Sequence, residues 1–164
     1  MGRWRPPSPA SSPYITQEGF KRLQEEVDTL WKKRAETTKA LAAAAAEGDR
    51  SENAEYIYRK KELREIDRRL HYLQKRMPVL KVVREIGDIG RVYFGARVTI
   101  TGAEGKEVTY RIVGADEIDE CPDYISIDSP MARLLLGKSL NEQIVVDQAG
   151  DKITCTILAI EYPG

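Results

Sequence analysis

The stretch that decides the fold is FKRLQEEVDTLWKKRAETTKALAAAAAEGDRSENAEYIYRKKELREIDRRLHYLQKRMP, residues 20–78. Phe20, Leu23, Val27 and Leu30 recur at spacings of 3, 4 and 3, and the register continues through Arg34 and Thr37 to Leu41 and Ala44. That spacing lines one face of an α-helix and, kept over several heptads, makes a coiled-coil seam. The pattern breaks near Gly48, resumes with Tyr56, Leu63, Ile66, Leu70, Leu73 and Met77, and ends at Pro78. Proline lacks the N–H that a helix interior needs. Two heptad helices joined by a few residues fold back on each other. The expectation is an antiparallel hairpin of helices about 30 residues each, an arm about 40 to 45 Å long at 1.5 Å per residue. Ala42 to Ala46 read either as a far end kept stiff and thin, alanine being the smallest good helix former, or simply as good helix formers near a helix end.

Beyond Pro78 the period changes from helical to alternating. Ala96, Val98 and Ile100 alternate with polar neighbours, as do Val108, Tyr110 and Ile112, and residues 101–105 (TGAEG) supply the hairpin turn between them. Residues 124–127 and 143–147 read as short strands, and a longer last strand puts Ile153, Cys155, Ile157 and Ala159 on one face. Ser129-Pro130 is a helix start, with serine at the N-cap and proline at the first position, and the short helix 131–136 ends before Gly137. A small antiparallel sheet packed by one helix is predicted, so the chain is α+β. The organisation read from this is a flexible Pro/Ser-rich tail at 1–13, the hairpin at 14–78, a linker at 79–90 and the sheet domain at 91–164.

Lys plus Arg number 26, as do Asp plus Glu, so the 164-residue chain has no net charge and no global excess pointing to a nucleic acid or a membrane. The balance hides a partition. Residues 14–77 hold 15 basic and 12 acidic side chains, whereas residues 78–164 hold 9 and 14. Two regions with different tasks are expected. No apolar run approaches the roughly 18 to 20 residues that span a bilayer. Arg3 and Arg5 are followed by no apolar segment of the kind a secretory signal carries. Two cysteines, Cys121 and Cys155, with one histidine exclude an unaided Cys/His zinc site and argue against a disulfide framework. A soluble, reduced, cytoplasmic protein is the expectation.

The hairpin turns through EGDRSENAEY, residues 47–56, which hold four acids and one base. Asp49 and Glu52 are three apart, close enough to share one side of a helix start. One reading is a capping box, where acids also suit the helix dipole. The other is a pair of Mg²⁺ ligands, since Mg²⁺ takes one or two protein carboxylates and completes its octahedron elsewhere. Spacing leaves both open. Behind the tip, residues 59–76 carry eight basic side chains against three acidic ones. Lys61, Arg64, Arg68, His71 and Lys75 fall at i, i+3 and i+4 steps, a stripe that reads either as a solvated helix face or, given the basic excess, as a polyanion contact.

The stretch Gly48-Asp49-Arg50-Ser51-Glu52-Asn53-Ala54-Glu55-Tyr56 resembles the tip signature of the bacterial Gre transcript-cleavage factors. Residues 63–70 (LREIDRRL) and 125–133 (ISIDSPMAR) resemble the GreB branch of that family, and the likeness runs from about Tyr14 to Tyr162. The resemblance implies an N-terminal antiparallel coiled coil and a small FKBP-like C-terminal domain. It implies a partner, bacterial RNA polymerase, whose secondary channel the coiled coil enters. Asp49 and Glu52 are similar to the acidic pair that helps the polymerase's active site hold a Mg²⁺ and the attacking water, so that backtracked RNA is cut. Arg50, Ser51, Asn53, Glu55 and Tyr56 would support that pair. Lys60, Lys61, Arg64, Arg68, Arg69 and Lys75 match the patch that contacts the nascent RNA 3′ segment. Asp128, Ser129 and Pro130 match a loop that holds the polymerase rim. So read, the protein is a monomer with no membrane partner. It is no enzyme alone, and it binds no cofactor alone, sharing Mg²⁺ only in the polymerase complex.

Two other functions stay in view. A Gre-like protein that occupies the channel without stimulating cleavage would differ chiefly at the tip, and the intact Asp49 and Glu52 argue against it. A prolyl isomerase would need an aromatic-walled pocket, and Tyr93, Phe94, Tyr110, Tyr124 and Tyr162 form no evident one in the sequence.

Overall fold

The computed structural model describes residues 4–6, 11–47 and 53–163. They fall into two compact units: Phe20–Leu80 form one, and the residues up to Gly19 join those from Lys81 onward in the other.

The first unit is a helix pair. Helix α1 is Gln17–Ala46 and α2 is Ala54–Arg76, followed by a 3-10 turn at Met77–Val79 that contains Pro78. At 23 residues α2 is shorter than the sequence pattern predicts, because Asn53 caps it and Pro78 closes it. Leu23 and Ala44 of α1 and Ile66, Leu70 and Leu73 of α2 are buried. Polar contacts across the pair fix its sense. Arg69 bonds Glu26 through two nitrogens at 2.7 and 2.9 Å. Arg34 Nε donates to Asp67 at 2.7 Å, the Thr37 hydroxyl to Glu62 at 2.6 Å and Asn53 Nδ2 to the Ala44 carbonyl at 2.7 Å. As α1 ascends its partners in α2 descend, so the pair is antiparallel.

The second unit is built on strands. Tyr14–Thr16 (β1) and Lys81–Val83 (β2) pair in parallel, Tyr14 opposite Lys81. The main sheet contains Arg97–Thr101 (β3), Glu107–Val113 (β4), Tyr124–Ser126 (β5), Gln143–Gln148 (β6) and Asp151–Glu161 (β7), in the order β5-β4-β3-β7-β6. Val98, Ile100, Ile112 and Ile157 pack with Ala132 and Leu135 of helix α3, Pro130–Leu135.

Three features depart from the sequence reading. β4 and β5 run parallel, so the sheet is mixed rather than antiparallel. The ten residues between them carry a 3-10 turn at Ile118–Glu120, which supplies the crossover a parallel pair needs. β2 lies inside the stretch read as a linker, and β1 precedes α1; strands of three residues are too short to show alternation. In β7 the register slips between Ile157, opposite Ile100, and Ala159, opposite Thr99. The extra residue turns Ala159 away and brings Ile160, opposite Val98, onto the core.

Glu117 organises the start of α1 within this unit. It is 1% exposed. Its carboxylate accepts the Gly114 N–H at 2.8 Å, the Thr16 N–H at 3.1 Å and the Thr16 hydroxyl proton. The same hydroxyl oxygen accepts the Gly19 N–H at 3.0 Å, which caps α1. Buried Arg111 donates to Glu18 at 3.1 Å and to the Tyr124 hydroxyl at 3.3 Å. Burial works against its charge, but the bonds to Tyr124 and Glu18 outweigh it and raise its pKa.

A Cβ on Gly19 would lie 2.0 Å from Glu117 Oε1. Gly→Ala in a helix normally stabilises, by up to about 1 kcal/mol. Here the overlap reverses the sign, and Gly19→Ala is expected to lower stability by about 1 to 3 kcal/mol. A urea titration followed by far-ultraviolet circular dichroism checks this; a raised midpoint would show that Glu117 gives way freely.

Candidate functional site

The end of the arm is built around Asn53. Its backbone is extended and its Oδ1 accepts the Tyr56 N–H at 3.1 Å, the N-cap bond of α2. The other side of the same amide, Nδ2, reaches the carbonyl of Ala44 near the end of α1. One side chain thus clips together the two ends from which residues 48–52 are strung. Of the predicted tip residues, Asp49, Arg50, Ser51 and Glu52 lie outside the described residues. The N-cap of α2, which the capping-box reading gave to the acidic pair, belongs to Asn53.

Just inside the cap, Glu55 accepts from Arg59 Nε at 2.8 Å, an i,i+4 pair. Tyr56 is half-buried, and Lys60 Nζ lies 5.9 Å from its ring centroid. One turn further, Glu62 receives the hydroxyl of Thr37, a residue 1% exposed. That bond, ahead of the cost of desolvation and helped by Arg59, Lys33 and Tyr58, lowers the Glu62 pKa below the usual carboxylate value.

The predicted basic stripe is divided by its surroundings. Lys60, Lys61, Arg64, His71 and Lys75 are exposed, and Arg68 is half-buried. Arg69 is engaged inside the arm: both its Nε and Nη2 hold Glu26, and its guanidinium lies 5.6 Å from the Tyr72 ring centroid. Exposed lysine and arginine heads are free to turn toward a phosphate chain, whereas a forked arginine pair between helices is a structural bond.

In the sheet unit, Ser129 caps α3 by accepting the Ala132 N–H at 3.2 Å, and Pro130 is its first residue. The preceding Asp128 carboxylate accepts from the Ser12 N–H at 2.8 Å and from the Ser12 hydroxyl. The Pro13 carbonyl accepts the Lys81 N–H at 2.7 Å. Residues 12 and 13, read from sequence as part of a flexible tail, are therefore tied to the sheet unit. No local pattern announces a contact across 116 positions. Among the described residues, no group of three or more His, Cys, Asp or Glu side chains forms a metal site, and no helix is long and apolar enough to cross a membrane.

Comparison with known proteins agrees over nearly the whole chain. Residues 13–82 match the family described as "Transcription elongation factor, N-terminal", and residues 87–162 match "Transcription elongation factor, GreA/GreB, C-term". The Pseudomonas aeruginosa protein named transcription elongation factor GreB is 52% identical, covering 99% of this chain and 98% of its own. A Xanthomonas axonopodis protein of the same name is 50% identical with the same coverage. Among solved structures, GreA factor homolog 1 of Thermus thermophilus is similar at 22% identity and a TM-score of 0.42, over 90% of this chain and 97% of that one.

Two outcomes follow from this geometry. Asn53→Ala removes a cap and a cross-helix bond together, and is expected to cost about 1 to 2 kcal/mol of arm stability, read as a lower denaturation midpoint at 222 nm. Glu62 has a folded-state pKa below its unfolded one, so its contribution is complete above the unfolded value of about 4.5 and is lost as pH falls through the folded value. Acid melting of Thr37→Val, which lacks the hydroxyl that lowers that pKa, is expected to be shallower than that of the parent below about pH 5.

Proposed function

The chain belongs to the GreA/GreB family of transcription elongation factors, and we propose that it rescues stalled transcription by entering the secondary channel of bacterial RNA polymerase and stimulating the polymerase's own cleavage of backtracked RNA. The observation that carries this reading is the Asn53 clip. In an antiparallel helix pair, one side chain joins the end of α1 to the first turn of α2, on either side of the acidic residues 48–52.

Hydrolysis of a phosphodiester by a two-metal centre needs a cation at the attacking water and another at the leaving oxygen. On this reading, a centre tuned for polymerisation would hold the second ion weakly once the RNA has slipped backward. Asp49 and Glu52 would complete the coordination of a Mg²⁺ shared with the polymerase, and the ion would supply the charge that makes water a nucleophile. Arg50, Ser51, Asn53, Glu55 and Tyr56 would keep that loop in shape. Two carboxylates are too few to hold Mg²⁺ alone, so the factor is no enzyme by itself and binds no cofactor by itself.

Lys60, Lys61, Arg64, Arg68 and Lys75 would guide the extruded RNA 3′ segment through its phosphates. Arg69, held by Glu26, would serve that surface only indirectly, by keeping the two helices in register. Asp128, Ser129 and Pro130 would anchor the sheet unit on the polymerase rim. The acidic surplus of residues 78–164 suits a protein surface rather than RNA.

Asp49→Asn/Glu52→Gln is expected to reduce stimulated cleavage in a backtracked elongation complex by about ten- to a hundredfold. Raised Mg²⁺ should restore part of the rate, and competition with the parent for polymerase should be unchanged. Loss of polymerase binding in the double mutant, or slowed elongation by the parent without cleavage, would overturn the mechanism.

A further inference from the structure

Tyr58 is 57% exposed, and its neighbour Ile57 is 53% exposed. Single apolar side chains on a surface are ordinary. Tyr58 differs because it is held. One helical turn on, the Glu62 carboxylate is fixed by the buried Thr37 hydroxyl on the opposite helix. The Arg59 guanidinium lies 5.4 Å from the Tyr58 ring centroid, and Arg59 is itself tethered to Glu55 and to Glu62. An aromatic ring that lies against a tethered cation while more than half its surface meets solvent loses rotamer freedom without the return of core burial.

Its position gives the restraint a use. Tyr58 stands three residues before Lys61, so it heads the row Lys61, Arg64, Arg68, His71 and Lys75 on the same helical face, at the end nearest residues 48–52. We propose that Tyr58 is a stacking platform for an unpaired base of single-stranded RNA whose phosphates follow this row, with Ile57 extending the apolar shelf. The proposal rests on the reading of the stripe as an RNA contact. Single-strand binding surfaces combine a cationic track with aromatic faces, and the face of every base is acceptable to such a ring. Arg59 against the ring adds a cation to the stack. An acidic peptide would satisfy the lysines and arginines but has no planar group that calls for a fixed ring.

The test compares two labelled twelve-nucleotide RNA oligomers at low salt with the full chain, one an oligoadenylate and the other lacking bases but keeping the ribose-phosphate backbone. The parent is expected to prefer the base-bearing oligomer by about five- to a hundredfold. Tyr58→Ala should abolish the preference and leave affinity for the abasic oligomer unchanged, and Tyr58→Phe should keep it. Lys61→Ala/Arg64→Ala should weaken both oligomers alike. If Tyr58→Ala retains the preference, or Tyr58→Phe loses it as fully as alanine does, the platform is wrong while the charged contact stands. If the parent binds neither oligomer, or the Lys61/Arg64 variant binds as the parent does, the RNA reading of the stripe fails and the platform falls with it.

Discussion

The arm depends on one constraint: α1 and α2 must pair in a single antiparallel register. The apolar seam alone defines that register weakly. It is narrow, and Ala44 offers too little side chain to interlock with anything. The exposed Arg34–Asp67 pair is 38% and 46% accessible, and pairs of that kind contribute at most about 1 kcal/mol. The Thr37–Glu62 bond is different. Thr37 sits in the seam with 1% of its surface exposed, so a slip in register would leave its hydroxyl buried without a partner and Glu62 without its donor. A polar residue in a coiled-coil seam gives up some stability and in return makes alternative registers costly. Asn53 sets the same register again at the far end by joining Ala44 to the first turn of α2.

The helix pair was legible because its signal is repetitive. Leu23, Thr37 and Ala44 in α1 and Ile66, Leu70 and Leu73 in α2 fall in the predicted register and are buried, since a 3-4 spacing permits few other outcomes. Features that depend on partners distant in sequence were not legible. The bulge that exchanges Ala159 for Ile160 leaves alternation unchanged on paper, because the register of β7 is set by β3, some 60 residues away. Parallel pairing of β4 with β5 is likewise a property of the crossover and not of either strand. At the tip, which residue caps α2 depends on Asn53 also finding the Ala44 carbonyl. That second bond has no local signature.

Eight basic residues between 59 and 76 read as one polyanion surface, yet Arg59 and Arg69 are held by carboxylates. Arg69 bridges to α1, with 20% of its side chain exposed. An arginine's planar fork suits such a fixed bond, whereas a lysine's compact head stays mobile and hydrated. The surface left for phosphates is therefore more lysine-rich than the sequence tally implies, and part of the basic content is the glue of the arm.

Glu62 connects these themes. Its carboxylate is the acceptor that fixes the register through Thr37, and it also accepts from Arg59, whose guanidinium lies 5.4 Å from the Tyr58 ring centroid. A residue with one hand in the seam and the other on the surface makes the geometry of the surface a consequence of the packing. That economy suits an arm only two helices thick. There is no interior from which a second layer of side chains could position the first, so each positioning group must reach from the seam itself. Asn53 does this for the first turn of α2 and Glu62 for the start of the basic row. Both act by spending a polar group on two partners at once. Each is therefore a place where a small substitution would shift function and stability together, unlike the exposed lysines, whose removal would change only what the arm attracts.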